Sequence, residues 1–332
     1  MAPPLKRIVI VGGGFAGLYA AKHLARQPVA VTLVDRKNHH TFQPLLYQVA
    51  TAVLSPGEIA APLRRILNRS PNTEVILGEV TGFDAAARTV KLAGPAENAE
   101  LPYDVLIVAA GARHAYFGHD DWAADAPGLK TVEDAVAIRR RILLAFELAE
   151  RRAYLTGQRE TPSFAVVGGG PTGVELAGAI ADIARRAMAS DFKAIDTTAA
   201  RVTVYEGAPR VLGAYPESLS RSAEAQLREL GVTVRTGSIV TAVEPGRLQV
   251  GGEWIAADVT LWATGVAASP LGKLLAAAAG AETDKAGRVK VAPDLSLPGH
   301  PEIFVLGDMA ALVDAAGHAV PGLGAAATQE GV

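Results

Sequence analysis

Two stretches of the chain carry residues of the type and spacing that hold a dinucleotide: VIVGGGFAGLYAAKHL, beginning at Val9, and AVVGGGPTGVELAGAI, beginning at Ala165. In the first, Gly12, Gly14 and Gly17 satisfy the pattern GxGxxG directly after a β-branched run. Gly12 permits the tight turn, Gly14 removes the Cβ that would block a pyrophosphate, and Gly17 lets helix pack against strand. The N–H groups and positive end of a helix opening there stabilise phosphate charge, and Phe15 and Ala16 belong to the same candidate site. Asp35 ends the next predicted strand, followed by Arg36, at the distance where a carboxylate takes both ribose hydroxyls. The second loop repeats the arrangement with Gly168, Gly170, Pro171, Thr172 and Gly173, and Glu206 closes its following strand. A carboxylate bidentate to the ribose 2′- and 3′-hydroxyls repels a 2′-phosphate, which favours NADH over NADPH. Arg210 lies close enough in sequence to soften that preference. A lone GxGxxG is weak evidence, because glycine turns occur in unrelated α/β proteins. Here strand, helix and acid agree in both copies.

Two nucleotide sites serve either two identical ligands or one fixed cofactor and one exchanging partner. Hydride chemistry supplies a reason for the second arrangement: a flavin accepts two electrons from NADH and delivers them onward singly or in pairs. The sequence contains no cysteine, which removes disulfides, thiolate metal sites, Cys-ligated clusters and dithiol redox mechanisms. Electrons handled here must therefore travel on a bound cofactor. The formal charge of -2 offers no basic field for nucleic acid or anionic lipid. His39 and His40 stand side by side without a carboxylate pair, so they read as structural or pocket-lining residues and no metal is expected. His114 and His119 read as loop residues that pack locally or face solvent, and the arginine run 139–141 as a solvated helix face.

The elements that must position these residues follow from hydrophobic period. At 332 residues and 49% hydrophobic content the chain can bury more than one core. Residues 6–11 read as a strand, 14–26 as a helix and 29–35 as a second strand, a βαβ unit. TEVILGEVTGFDAAARTVKLAG reads as paired strands with a turn, and LPYDVLIVA as one apolar strand ending at Ala110 and Gly111. An amphipathic helix follows at 131–155, with Thr131 as its cap and Glu133 and Asp134 at its positive end. A second βαβ unit opens at 164–167 and reaches Glu206, and α/β alternation continues to DVTLWATG and EIFVLGDMA. The amino-terminal apolar run turns into a glycine loop with no cleavage pattern, which reads as a first buried strand of a cytoplasmic protein. No stretch reaches the apolar length of a bilayer span. The end at Val332 interrupts a helical pattern and reads as a truncation.

The glycine loop, Asp35, VAAG, the second loop, Glu206, WATG and VLGD together resemble the flavoprotein reductases with two dinucleotide-binding domains. NHHTFQPLLYQVATAVLSPGEIAAPLR, GARHAYFGHDDWAADAPGLKTVEDA, GGGPTGVELAGAI and TLWATGVAASP resemble the type II NADH dehydrogenases, the NADH:quinone oxidoreductases of respiratory chains that pump no protons. The resemblance implies an α/β fold of two Rossmann-like domains. It implies a discontinuous FAD domain at 1–125 and 269–332 with an NADH domain at 126–268 inserted in it. Gly12, Gly14, Gly17, Asp35, Ala110 and Gly111 would meet non-covalent FAD, and Gly307 and Asp308 its ribityl part. Gly168, Gly170, Gly173, Glu206, Ala263, Thr264 and Gly265 would hold NADH, with Glu175 near the nicotinamide as the candidate catalytic residue. Phe42, Gln43, Pro44 and Tyr47 would help close the quinone region.

Two departures from the family stand near the end. In the family's Ala-Gln-x-Ala-x-Gln pattern the second glutamine survives here as Gln329, but the first glutamine position is Ala325, whose side chain cannot hydrogen-bond a quinone. The family's tail, which covers the flavin and rests on the cytoplasmic face of the inner membrane, has no counterpart in these residues. The expectation is weakened membrane association and a flavin pocket open to oxygen, with a homodimer possible. Two alternatives stay open: a reductase acting on a soluble or protein acceptor, and a truncated, inactive flavin-binding relative.

Overall fold

The computed structural model describes residues 4–94, 97–314 and 317–332. The chain forms two compact units, one of residues 1–41, 60–113 and 266–332, the other of residues 42–59 and 114–265. Each is built on a parallel sheet, and the second is inserted into the chain of the first.

In the first unit six strands lie in the order Ser296–Leu297, His300–Val305, Val105–Val108, Lys6–Val11, Val29–Asp35 and Thr73–Leu77. All pairs are parallel except the antiparallel edge pair of Ser296–Leu297 with His300–Val305. Ile8, Val9, Ile10 and Val11 are consecutive and all buried, as expected of a parallel strand covered on both faces. The helix Phe15–His23 completes the predicted βαβ unit, with Val11 paired to Val34 in register.

Two sequence expectations divide differently. Thr73–Leu77 joins the parallel sheet as its edge strand, while Glu79–Asp84 pairs with Thr89–Ala93 and that with Asn98–Pro102 in a separate antiparallel sheet. The apolar run LPYDVLIVA accordingly splits: Pro102 ends one sheet and Val105 begins the other. Asp104 at the break accepts the Arg7 backbone N–H at 2.7 Å and a guanidinium N–H at 3.0 Å.

In the second unit four parallel strands lie in the order Val232–Arg235, Arg201–Tyr205, Ser163–Val167 and Val259–Trp262. The helix Val132–Thr156 buries Ile138, Ile142 and Phe146, and the Phe146 ring lies 5.5 Å from that of Phe164. Residues 42–59, which the resemblance assigns to the FAD domain, pack in this unit: Leu46, Val49, Ala50 and Ile59 share a buried cluster with Ile138 and Ile142. The reason is amphipathic, since helix Leu46–Ala50 has its apolar residues covered by the long helix. The run 139–141 also differs from a solvated face, because Arg141 donates to the Ala124 and Asp125 carbonyls at 2.6 and 3.2 Å.

Thr131 caps the long helix through a capping box: its hydroxyl oxygen accepts Asp134 N–H at 3.1 Å, and the Asp134 carboxylate accepts Thr131 N–H at 2.9 Å. Thr131→Ala is expected to cost about 1 kcal/mol of stability, read as a urea midpoint shifted to lower concentration.

Candidate functional site

The two glycine loops are built alike. Strand Lys6–Val11 delivers Gly12 into a left-handed turn at φ +104°, and Ser163–Val167 delivers Gly168 at φ +110°, where a side chain is strained. A Cβ on Gly17 would overlap the carbonyl oxygen of Gly12, and one on Gly173 that of Gly168. Helix and turn therefore touch backbone to backbone. Gly14 and Gly170 differ from these: a Cβ on either meets nothing within 4 Å. Each is the N-cap of its helix, and no side chain caps either end. In front of each helix is open space of the kind that a pyrophosphate fills in dinucleotide-binding folds and a side chain would block. Pro171 occupies the first helical position of the second, where its missing N–H costs nothing, and Thr172 stands next to it.

Asp35 and Glu206 act as a matched pair. One Asp35 carboxylate oxygen accepts Gly13 N–H at 2.6 Å and the other accepts Lys37 N–H at 2.7 Å. Glu206 accepts Gly169 N–H at 2.6 Å and Ala208 N–H at 2.7 Å in the same way. Every carboxylate oxygen keeps a second lone pair, enough for the two hydroxyls of a ribose.

In the first unit a cavity of about 460 Å³ brings together Gly12, Asp35, Arg36 and Ala110. Gly111 borders it through its carbonyl, which accepts Ser269 N–H at 3.0 Å. Gly78, Glu79, Val80 and Thr81 line it as well and were missed in the sequence. Their signal is topological: they follow strand Thr73–Leu77, the neighbour of Val29–Asp35 at the carboxyl edge of the sheet. His40 supports the loop from behind, with Nδ1 donating to the Gly13 carbonyl at 3.0 Å and its ring edge-on to Phe15 at 5.0 Å. Burial lowers its pKa, so the ring is a neutral donor.

Gly307 and Asp308 form the turn after strand His300–Val305. Gly307 N–H donates to Glu330 at 2.5 Å, and a Cβ on Gly307 would lie 3.5 Å from Ala16, so this turn sits against the first glycine-loop helix. Burial raises the pKa of Glu330. Gln329 and Ala325 are exposed four residues apart on helix Gly324–Glu330, hence on one face.

The second unit has two cavities relevant to the predicted residues. One, of about 480 Å³, joins Gly168, Glu206 and Thr264 over a floor of buried Trp122, Tyr205 and Trp262. Ala263 donates its N–H to the Val167 carbonyl at 2.8 Å, and the Gly265 carbonyl accepts Ala115 N–H at 3.1 Å. The other, of about 670 Å³, joins Glu175 to Tyr47, Gln48 and Val53. Glu175 stands at its solvent side, and the protein packed about the carboxyl pushes its pKa up. Phe42, Gln43 and Pro44 are exposed on the turn leading to Tyr47 and do not line this cavity. His119 stacks on Trp122 at 4.2 Å.

Arg210 corrects one expectation. Its guanidinium donates to the carbonyls of Gly213 at 2.7 Å, Tyr215 at 2.8 Å and Leu212 at 3.4 Å. It fastens its own loop, so it does not stand ready beside Glu206 for a 2′-phosphate.

Among the described residues no helix is long and apolar enough to cross a membrane, and no group of three or more His, Cys, Asp or Glu side chains is placed to hold a metal.

The sequence profile of the pyridine nucleotide-disulphide oxidoreductases matches residues 6–331. Among curated proteins, the type II NADH:quinone oxidoreductase Ndh of Mycobacterium tuberculosis is 46% identical over 333 residues, covering 98% of this chain and 71% of that protein. NdhA of the same organism, also a type II NADH:quinone oxidoreductase, is 47% identical, covering 91% of this chain and 66% of that protein. The solved structure of NDH2 from Plasmodium falciparum in complex with NADH superposes with a TM-score of 0.82 at 23% identity, over 92% of this chain and 64% of that one. The chain thus spans about two thirds to seven tenths of the length of these relatives. With its paired glycine loops and matched carboxylates, the chain is by this similarity a member of the pyridine nucleotide-disulphide oxidoreductase family, within its type II NADH:quinone oxidoreductase branch.

Proposed function

We propose that the chain is a FAD-dependent NADH:quinone oxidoreductase that pumps no protons, with FAD held non-covalently by the first unit and NADH by the second. The observation that carries this reading is the duplicated cradle, an open helix end plus a carboxylate clamped to a glycine-loop N–H at 2.6 Å, once in each unit. The names of its curated relatives supply the reaction. When bound, FAD would supply two-electron redox chemistry, accepting a hydride from NADH and delivering two electrons to a quinone, which becomes a quinol with that proton and one more from solvent.

The protein's own part is positioning and charge. Gly14, Phe15, Ala16 and Gly17 present the first helix end to the FAD pyrophosphate, Asp35 takes the adenosine ribose, Arg36 and Ala110 flank it, and Gly307 and Asp308 meet the ribityl chain. Gly170, Pro171, Thr172 and Gly173 present the second helix end to NADH, and Glu206 takes its ribose. Glu175 orients the nicotinamide or holds a proton near it. Phe42, Gln43, Pro44, Tyr47 and Gln329 serve the quinone side. A peripheral place on the cytoplasmic face of the inner membrane belongs to the same reading for a full-length form, with weakened membrane association expected of these residues, and so does a homodimer.

The second reading, a soluble or protein acceptor in place of quinone, is favoured by one residue. Ala325 shares a face with Gln329 but offers a quinone no hydrogen bond. Anaerobic titration separates the two. NADH is expected to bleach the flavin absorbance, and a soluble quinone analogue to restore it. Bleaching without restoration would favour the second reading, and no bleaching would defeat both.

Glu206 and the commitment of Arg210 to its own loop predict a preference for NADH. Glu206→Gln is expected to narrow the NADH-to-NADPH ratio of kcat/KM by about tenfold or more, since it removes a like-charge contact worth several kcal/mol. An unchanged ratio would remove Glu206 from that role.

The raised pKa of Glu175 means that its proton persists to higher pH than that of a free carboxyl. A step that uses this proton slows as pH rises through the raised pKa. Glu175→Gln cannot titrate and should flatten that alkaline limb, whereas Glu175→Ala should lower kcat/KM by about a hundredfold. Superimposable pH profiles for all three proteins would refute the role.

A further inference from the structure

The cavity of the second unit that contains Glu206 has an uneven lining. Its floor of Trp122, Tyr205 and Trp262 is buried, yet two large apolar side chains in its wall are bare: Phe117 is 69% exposed and Ile239 is 66% exposed. Among its lining residues Glu206 is the sole formal charge, and neither lysine nor arginine contributes. Such a space does not suit a phosphate. It suits a flat, neutral group attached to something that Glu206 holds.

Phe117 is also conformationally unusual. Its φ is +54°, a left-handed conformation that a bulky aromatic residue adopts at an energetic penalty and that clusters at ligand sites. Its ring reaches Trp262 at 6.4 Å, inclined at 60°, and a Cβ on Gly265 would come within 2.9 Å of that ring. Gly265 thus leaves room for Phe117, and Trp262 supports one part of it, while most of the ring remains in solvent. Burying an exposed aromatic surface is favourable, and nothing in this unit covers it.

Given the NADH assignment above, on which this step rests, we propose that the Phe117 ring stacks on the adenine of NADH, with Ile239 as a second apolar wall. The order of groups along the ligand fits the order of residues. The pyrophosphate meets the open helix end at Gly170, the adenosine ribose meets Glu206, and the base carried by that ribose enters the same cavity, which reaches back to Gly168. The nicotinamide belongs elsewhere, because Glu175 lines a separate cavity that contains none of these residues. A purine offers a π-face to an aromatic ring without needing a charge from the protein.

The test uses the flavin-loaded protein and two reductants, NADH and reduced nicotinamide mononucleotide, which lacks the adenosine half. Anaerobic rapid mixing gives a half-saturating concentration and a limiting bleaching rate for each. Phe117→Ala should raise the half-saturating concentration for NADH about tenfold or more, leave the limiting rate near that of the unsubstituted protein, and leave the mononucleotide unaffected. Phe117→Tyr should restore NADH affinity. Phe117→Gly, which suits the left-handed backbone, should have a melting temperature at least equal to that of Phe117→Ala and the same weakened NADH affinity, which separates binding from folding. The proposal is overturned if Phe117→Ala and Phe117→Gly bind NADH as the unsubstituted protein does. It is overturned as well if both reductants weaken equally, since that would mark a general disturbance of the unit. Failure of NADH to bleach the unsubstituted protein would instead overturn the underlying NADH assignment, and this inference with it.

Discussion

The structure depends on a charge-assisted hydrogen bond used twice, a carboxylate at the end of one strand accepting a glycine-loop N–H from the next. Such bonds are shorter and stronger than neutral ones, and both measure 2.6 Å here. Each closes its loop in the shape that turns the helix end toward open space. The parallel register makes them possible, because Val11 lies beside Val34 and Val167 beside Tyr205, which brings Asp35 and Glu206 level with the loops they hold. A slip of one residue would turn each side chain to the other face of its sheet.

Around these two anchors the charged residues divide by what they hold. Arg210 and Arg141 satisfy backbone carbonyls of turns, so their charge shapes loops and is not offered to a ligand. His40 does the same for the first glycine loop as a neutral donor. Glu175 and Glu330 are the carboxyls pushed toward protonation by their surroundings. Perturbed carboxyls of this kind gather at sites of chemistry. Glu330, however, already fastens the Gly307 turn, whereas Glu175 lines the cavity it shares with Tyr47.

Much of this was legible in the sequence because it is local. The strand Lys6–Val11, the helix after it, Asp35 and the Thr131 cap are each specified by neighbours within a few dozen residues. The antiparallel sheet of Glu79–Asp84, Thr89–Ala93 and Asn98–Pro102 was only half legible, since an apolar run does not announce which sheet its two ends join. Residues 42–59 pack in the second unit for a related reason. Their apolar spacing calls for a partner, but either unit could supply one.

The sequence by itself determined the two glycine loops, the carboxylates that close them and the absence of thiol chemistry, because glycine geometry, hydrogen-bond chemistry and composition act at short range. Only the tertiary structure decided that Arg210 is spent on its own loop, that Gly78 to Thr81 join Asp35 around one cavity, and that Phe117 is held bare in the cavity that Glu206 also lines. The first is a choice among carbonyls of the same loop, and the other two come from contacts between segments far apart in the chain; in each, the competition among donors, acceptors and apolar surfaces is resolved only once the strands have found their order.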